Sequence, residues 1–231
     1  MNIVLVHGAG GTPTTWSEVA PLLVDDGHRV SLVTNPMRSL LTDVEHTMSV
    51  IETAGTPDEP VLLVGHSYGG AVITNAGRHP RVCGLVYIAA FGPEEDESIQ
   101  DIVGRYPPAG VSKYMRRGPN GEWASEHTSD YWTEIAWDLT AEQRAVFDAD
   151  SRVSANDIFR QPTGTPAWRR LPSWYLVAAQ DRTLRPDTQR DMATRMGATV
   201  AEIDGSHFVP HVSPVRVRDL INEAAESLVP C

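Results

Sequence analysis

One serine lies in a sequence context that favours nucleophilic chemistry. Residues 65–69 have the sequence Gly-His-Ser-Tyr-Gly, which places Ser67 directly after the apolar run 61–64 and before the small-residue run 69–73. This is the G-x-S-x-G pattern of a nucleophile elbow, in which a strand turns sharply into a helix and exposes one hydroxyl. Glycines at 65 and 69 suit so tight a turn because a Cβ would collide with the neighbouring backbone. The pattern predicts that Ser67 is a nucleophile.

A serine nucleophile needs a base and a carboxylate that orients the base, and the candidates for both follow strand-like runs. His207 comes shortly after the run 199–203, and Asp181 comes directly after the run 174–179. For Ser67 and His207 the alternative is a structural role, as a turn serine and as a loop histidine bonded to the backbone. Other candidates for the acid lie nearby in sequence or follow the strand predicted at 84–90, namely Asp187, Asp191, Asp204, Glu94, Glu95 and Asp96.

Two backbone N–H groups are candidates for binding the oxyanion that forms when a carbonyl is attacked. The apolar run 3–6 leads into His-Gly-Ala-Gly-Gly at 7–11, where the N–H of Ala9 is the predicted donor. The second donor is the N–H of Tyr68, which follows the nucleophile and opens the next helix. His7 and His66 are interpreted as braces for these loops. The predicted mechanism requires no metal ion and no organic cofactor, and the remaining histidines show no metal-ligand spacing.

The chain order Ser, Asp, His is that of an α/β-hydrolase. The chain resembles a small bacterial α/β-hydrolase, similar to the branch of that superfamily that contains plant methylesterases and hydroxynitrile lyases. This resemblance covers nearly the whole chain and implies the fold, the Ser67-His207-Asp181 triad and the oxyanion donors. The residues on which it rests are 4–9, 65–73, 172–177 with Asp181, and Ser206 and His207 followed by Ser213 and Pro214.

Three positions depart from the pattern of that branch. Cyanohydrin-cleaving members have threonine where this chain has Gly8 and lysine where it has Phe208. The chain therefore lacks the cation that the lyase reaction needs, and the hydrolase interpretation is favoured over the lyase. His211 lies where an apolar residue is usual, and its role is left open between tuning the site and packing.

Apolar runs alternate with helical patterns along the chain. This alternation predicts an α/β-hydrolase fold with a mostly parallel six-stranded sheet and helices on both faces. We expect a first helix from about Ser17, a second with a capping box at 42–45 and a stop at Gly55, and a last one opening at Ser213 and Pro214. Strands are predicted at 2–6, 29–33, 61–65, 84–90, 173–179 and 199–203.

The segment 92–171 breaks this alternation and is rich in proline, glycine, charge and aromatic residues. An insertion at this point of the fold would lie over the strand ends that include Ser67. We therefore predict a helical cap within a single domain spanning 1–231. Trp123, Trp132, Trp137 and Trp168 are candidates for its pocket lining, with core packing as the alternative for each.

Charge and composition limit the classes of partner. The chain has 231 residues with nineteen basic and thirty acidic side chains, a formal net charge of −11. Such a charge disfavours nucleic acid and a basic membrane-binding surface. The chain enters a strand directly after Met1, so no signal peptide is predicted and a cytoplasmic protein, monomer or homodimer, is expected. Cys83 and Cys231 lie far apart, which indicates neither a zinc site nor a disulfide framework.

These residues together predict a serine hydrolase. The expected substrate is a carboxylic ester of a small, fairly apolar molecule, cleaved through an acyl-enzyme intermediate. A thioesterase, an acyltransferase or a C–C bond hydrolase would use the same triad, and a hydrolase-fold ligand receptor is the alternative outside enzymes. A dehalogenase or epoxide hydrolase of this fold would need an aspartate where Ser67 stands, so those activities are excluded.

Overall fold

A six-stranded parallel sheet forms the centre of the chain in this computed structural model, which describes residues 1–228. The sheet order is β2-β1-β3-β4-β7-β8, and β5 and β6 form a separate antiparallel pair. The predicted fold class is confirmed. The strands are β1 (Asn2–Val6), β2 (Arg29–Val33), β3 (Val61–His66), β4 (Val82–Ile88), β5 (Met115–Arg117), β6 (Trp123–Ser125), β7 (Ser173–Ala178) and β8 (Thr199–Ile203).

Helices cover both faces of this sheet because its side chains alternate between two apolar cores. One core packs α2, α3 and α8 against one face, and the other packs α1 and α10 against the opposite face. The helices are α1 (Val19–Asp25), α2 (Leu40–Thr53), α3 (Gly69–Ala76), α4 (Ile99–Gly104), α5 (Ser129–Glu134), α6 (Ala141–Asp150), α7 (Asp157–Arg160), α8 (Pro186–Met196), α9 (Val209–Val212) and α10 (Pro214–Ser227), with short 3₁₀ turns at Pro13–Trp16, Gly110–Lys113 and Ala167–Arg169.

Local details differ from the sequence predictions at two elements. The capping box of α2 is formed by Ser39 and Thr42 rather than by 42–45, because the Ser39 hydroxyl accepts the Thr42 N–H one turn earlier. Strand β4 ends at Ile88 rather than at residue 90, because Ala89 has a φ of +43° that breaks the extended backbone. Helix α2 stops as predicted, with Gly55 at a φ of +70° directly after its C-cap.

The segment 92–171 contains α4 to α7 and also the β5–β6 hairpin, which was not predicted. Its turn is closed by a hydrogen bond of 2.8 Å from the Gly118 N–H to the Glu122 carbonyl, with Gly121 at a φ of +83°. A third core, which is rich in aromatic residues and separate from the two cores of the sheet, includes Tyr114, Tyr131 and Trp132. Within residues 1–228, no helix is both long and apolar enough to cross a bilayer. Cys83 is buried, and Cys231 lies outside the described residues.

Candidate active site

The turn between β3 and α3 holds Ser67 in a strained backbone conformation. Its φ of +53° lies in the left-handed region, which residues with a Cβ seldom adopt. A Cβ added at Gly65 would lie 2.6 Å from the backbone of Gly69, and one added at Gly69 would collide with the carbonyl oxygen of Val6. The turn therefore has the backbone geometry that the G-x-S-x-G pattern predicts.

His207 and Asp181 are hydrogen-bonded to each other. The distance from His207 Nδ1 to Asp181 Oδ2 is 2.6 Å, and both side chains are buried. They meet because Asp181 follows β7 and His207 follows β8, and these two strands are parallel neighbours. Most of the alternative acids are bonded elsewhere: Asp187 to Arg185, Asp191 to Tyr106, and Glu94 and Glu95 to Arg169.

Further donors fix the Asp181 carboxylate. Its Oδ1 accepts the backbone N–H groups of Thr183 and Leu184 at 2.7 and 2.8 Å. Its Oδ2 accepts Nε2 of the buried Gln189 at 2.8 Å as well as Nδ1 of His207. A carboxylate held by four donors has one orientation, and hence so does the imidazole bonded to it. Gln189 was not predicted, because a glutamine in a helix carries no sequence signal for such a role.

Ser67 and His207 line the same cavity. The Ser67 hydroxyl has no hydrogen-bond partner among residues 1–228, and the His207 ring uses Nδ1 for Asp181. The structure therefore leaves the hydroxyl of Ser67 and Nε2 of His207 available on one cavity wall.

The N–H groups of Ala9 and Tyr68 also lie on this wall, and neither donates to an acceptor within the described part of the chain. A backbone donor with no protein partner is available to a developing oxyanion. The Tyr68 hydroxyl donates to Asp43 Oδ2 at 2.7 Å. Burial raises the pKa of the Asp43 carboxyl, and burial together with the Asp43 charge raises the pKa of Tyr68 well above its usual value.

His7 and His66 make the loop contacts that were expected of braces. The Nδ1 of His7 lies 2.8 Å from the Gly8 carbonyl oxygen, and its Nε2 accepts the Asn35 N–H at 3.1 Å. The Nε2 of His66 lies 2.9 Å from the carbonyl oxygen of His207. Burial lowers the pKa of both imidazoles, that of His7 to about 4. Both rings are therefore neutral at pH 7.

Stability is expected to fall as the pH drops from 6.5 towards 4. The unfolded chain protonates His7 near its ordinary pKa of 6.5, whereas the folded chain keeps it neutral down to about pH 4. The unfolded state thus binds the additional proton in this window, which lowers the free energy of unfolding on the order of 3 kcal/mol. Urea unfolding at several pH values measures this loss. His7→Gln should show a shallower pH dependence than the wild type, and an unchanged dependence would contradict the assignment.

The cavity above Ser67 has a volume of about 1170 Å³ and lies between the sheet and the cap segment. Of the four tryptophans proposed for it, Trp123 lines the cavity, whereas Trp132 packs in the cap core, Trp168 packs in a sheet core and Trp137 is exposed.

No three His, Cys, Asp or Glu side chains in the described chain are grouped to hold a metal ion. The Phe, Tyr and Trp residues that line the cavity are Tyr68, Phe91, Tyr106, Trp123, Tyr131, Phe147, Phe159 and Phe208.

Comparison with known proteins identifies the family. The model of the alpha/beta hydrolase family matches residues 3–220. The chain belongs to this family. The chain is 35% identical to the carbendazim hydrolyzing esterase of Nocardioides sp. over 139 residues, which are 54% of this chain and 57% of that esterase. It is 25% identical to Methylesterase 8 of Arabidopsis thaliana over 228 residues, 90% of this chain and 83% of the relative.

Solved structures share the fold of this chain. A pyrethroid hydrolase from Sphingobium faniae superposes with a TM-score of 0.82 at 21% identity, covering 97% of each chain. Polyneuridine aldehyde esterase superposes with a TM-score of 0.81 at 19% identity, covering 96% of this chain and 98% of that one. At these identities the likeness concerns the fold alone.

Four hydrogen bonds connect the cap segment to the loops of the site. Asp150 accepts the hydroxyls of both Thr12 and Thr14, next to the Ala9 loop. The Arg152 N–H donates to the Gly10 carbonyl at 2.9 Å. On the other side, Asp138 Oδ2 accepts the Ser206 N–H at 2.8 Å, beside His207. None of these was predicted, because each joins residues more than 60 positions apart in sequence.

Proposed function

We propose that this protein is a serine hydrolase that cleaves a carboxylic ester through an acyl-enzyme intermediate. Ser67 is the nucleophile, His207 the general base and acid, and Asp181 the carboxylate that orients the imidazole. The N–H groups of Ala9 and Tyr68 bind the oxyanion. The main support is the 2.6 Å bond from His207 to Asp181 beside an unpartnered Ser67 hydroxyl in one cavity.

The reaction follows from these positions. Ser67 Oγ bonds to the carbonyl carbon while its proton passes to Nε2 of His207, and the carbonyl oxygen becomes an oxyanion near the Ala9 and Tyr68 amides. Collapse of this intermediate breaks the ester C–O bond, and the leaving alcohol takes the proton from His207. Water then attacks the acyl-enzyme, with His207 again accepting and returning a proton. The products are a carboxylic acid and an alcohol.

Two observations bear on the substrate: one supports an ester as the bond that is cleaved, and the other supports an aromatic group in the molecule that contains it. The relatives with detectable sequence identity include a carbendazim hydrolyzing esterase and Methylesterase 8. The cavity wall is rich in aromatic side chains, which pack well against ring systems. Its volume of about 1170 Å³ exceeds the range usual for small-ligand sites, about 300 to 1000 Å³, so the substrate need not be small.

Covalent labelling tests the proposal. A fluorophosphonate probe should form an adduct on the peptide that contains Ser67, because only an activated hydroxyl reacts with it. The labelled protein should lose its turnover of a 4-nitrophenyl ester in proportion to labelling. Labelling of a different serine, or turnover that survives complete labelling of Ser67, would contradict the proposal. A ligand receptor would bind the ester and release it intact.

A further inference from the structure

The charge of the cavity wall is opposite to the charge of the chain. The chain has thirty acidic and nineteen basic side chains. Among the residues that line the cavity, the structure places four arginines and, within the described chain, no aspartate or glutamate. These arginines are Arg117, Arg152, Arg160 and Arg185.

Three of the four have no ion-pair partner. Arg185 is paired with Asp187 at 2.6 Å. For Arg117, Arg152 and Arg160, no carboxylate of residues 1–228 lies within ion-pair distance. Three other arginines of the cap make ion pairs, whereas Arg144 and Arg170 make none within residues 1–228. Arg105 contacts Glu97, Arg169 contacts Glu94 and Glu95, and Arg116 contacts Glu126 at 2.6 Å.

Neighbouring positions in β5 show this contrast directly. Arg116 and Arg117 point to opposite faces of the strand. Arg116 makes its ion pair with Glu126 and does not line the cavity, whereas Arg117 lines the cavity and lies over the ring of Trp123, 5.8 Å from its centroid. The cation that faces the cavity is the one left without a counter-charge.

The three unpaired arginines belong to the chain segments that hold Trp123 on the cap wall. Trp123 is bridged to Ser154 by two backbone hydrogen bonds of 2.7 and 2.8 Å, and its Nε1 donates to Asn156 at 2.9 Å. Arg117 stacks on this tryptophan, Arg152 lies two residues before Ser154, and Arg160 lies one helical turn after Asn156. Arg152 also lies next to the Ala9 loop, since its N–H donates to Gly10.

The carboxylates just behind the wall are already bonded to other groups. Asp148 accepts from His127 at 2.7 Å, and Asp191 accepts from Tyr106 at 2.6 Å. Asp150 accepts from two threonine hydroxyls. The Arg152 guanidinium donates one hydrogen bond to the Asn35 carbonyl oxygen at 3.1 Å, whereas the guanidinium groups of Arg117 and Arg160 have no hydrogen-bond acceptor among residues 1–228. A concave site whose lining charges have one sign concentrates its field and attracts the opposite charge.

We infer that the substrate of this site is an ester that also bears an anionic oxygen group, a carboxylate or a phosphate, recognised by Arg117, Arg152 and Arg160. The inference rests on the proposed function and adds the chemical class of its substrate. The planar guanidinium group donates parallel hydrogen bonds that match carboxylate and phosphate oxygens. The aromatic part of the wall would hold the rest of the molecule, and the arginines of the cap would hold its charged end.

Matched esters test this inference. One pair is 4-nitrophenyl pentanoate and mono-4-nitrophenyl glutarate, which differ in a terminal carboxylate on the acyl side. A second set is phenyl acetate with its 4-carboxy and 4-phosphonooxy derivatives, which place the anion on the alcohol side and separate carboxylate from phosphate. In at least one pair the anionic member should have a kcat/KM about tenfold or more above that of its neutral partner. This preference should shrink as salt is raised.

Variants assign the preference to the wall. Arg117→Gln and Arg160→Gln should each reduce the ratio of anionic to neutral kcat/KM, whereas Arg116→Gln, on the opposite face of β5, should retain the wild-type ratio. Neutral members preferred in every pair, or a ratio that Arg117→Gln and Arg160→Gln leave unchanged, would overturn the inference while leaving the hydrolase proposal intact.

Binding provides a second measurement that does not depend on turnover. Calorimetry of the same ester pairs with Ser67→Ala should show the anionic member of at least one pair binding about tenfold more tightly. Equal binding of the members of every pair would overturn the inference. Failure of the wild type to hydrolyse any ester, with the anionic preference in binding retained, would count against the proposed function alone.

Discussion

Ser67→Ala is expected to lower kcat for a 4-nitrophenyl ester about 10⁶-fold, to a residual rate that comes from binding and the oxyanion donors alone. The substitution removes the only atom that would form the acyl-enzyme. It keeps the Cβ, and the lost hydroxyl has no hydrogen-bond partner among residues 1–228. The free energy of unfolding should therefore change by less than about 0.5 kcal/mol.

The measurement pairs turnover with stability. Steady-state rates, urea unfolding and fluorophosphonate labelling should be compared for the wild type, Ser67→Ala and Ser49→Ala, whose hydroxyl lies on the exposed side of α2. The control should label and turn over like the wild type. A Ser67→Ala protein that is folded and retains more than a small fraction of the wild-type rate would refute the serine mechanism.

Asp181→Asn is expected to lower kcat about 10⁴-fold. The structure indicates why an isosteric amide cannot replace this carboxylate. Oδ1 accepts two backbone N–H groups, so the amide oxygen of the asparagine must take that position. Its NH₂ group then faces Nδ1 of His207 and Nε2 of Gln189, where the carboxylate accepted from both. Nδ1 would have to become the acceptor, so the proton moves to Nε2, which can no longer accept from Ser67.

The matched control is Asp204→Asn. Asp204 was an alternative for the acid, lies three residues before His207 and is exposed. Asp204→Asn should keep the wild-type kcat. Asp181→Asn should react with the fluorophosphonate probe much more slowly than the wild type, but it should reach the same final extent of labelling. A large loss of kcat in Asp204→Asn together with a small one in Asp181→Asn would show that the acid has been assigned to the wrong residue.

The site combines a rigid centre with a wall supplied by the cap. Ser67 and the Tyr68 amide follow β3, Asp181 follows β7 and His207 follows β8, so the packed core of one sheet fixes their positions. The cap reaches the same loops through the bonds of Asp150 to the Thr12 and Thr14 hydroxyls and through Arg152. The sheet thus positions the candidate catalytic groups, and the cap supplies much of the wall of the cavity and its arginines.

Local sequence was sufficient to predict the elbow and the six strands. The glycines around Ser67 act on their immediate neighbours, and the apolar runs report burial on both faces of a parallel sheet, so each signal is contained in a few consecutive residues. The end of α2 at Gly55 was also predictable from local sequence, because a glycine readily adopts the positive φ that follows the helix. The capping box of that helix was misplaced because Ser39 and 42–45 offer competing local patterns, and packing selects one of them.

By itself, the sequence determined the fold class and predicted Ser67 and His207 as the candidate nucleophile and base, because strand periodicity and tight-turn sterics are local. Only the tertiary structure decided which acid contacts His207, since Asp181 and its competitors differ in strand-end position and not in sequence pattern. It also decided the Gln189 contact, the β5–β6 hairpin and which four arginines line the cavity. These depend on residues far apart in the chain, and the free energy that brings them together comes from packing the whole core.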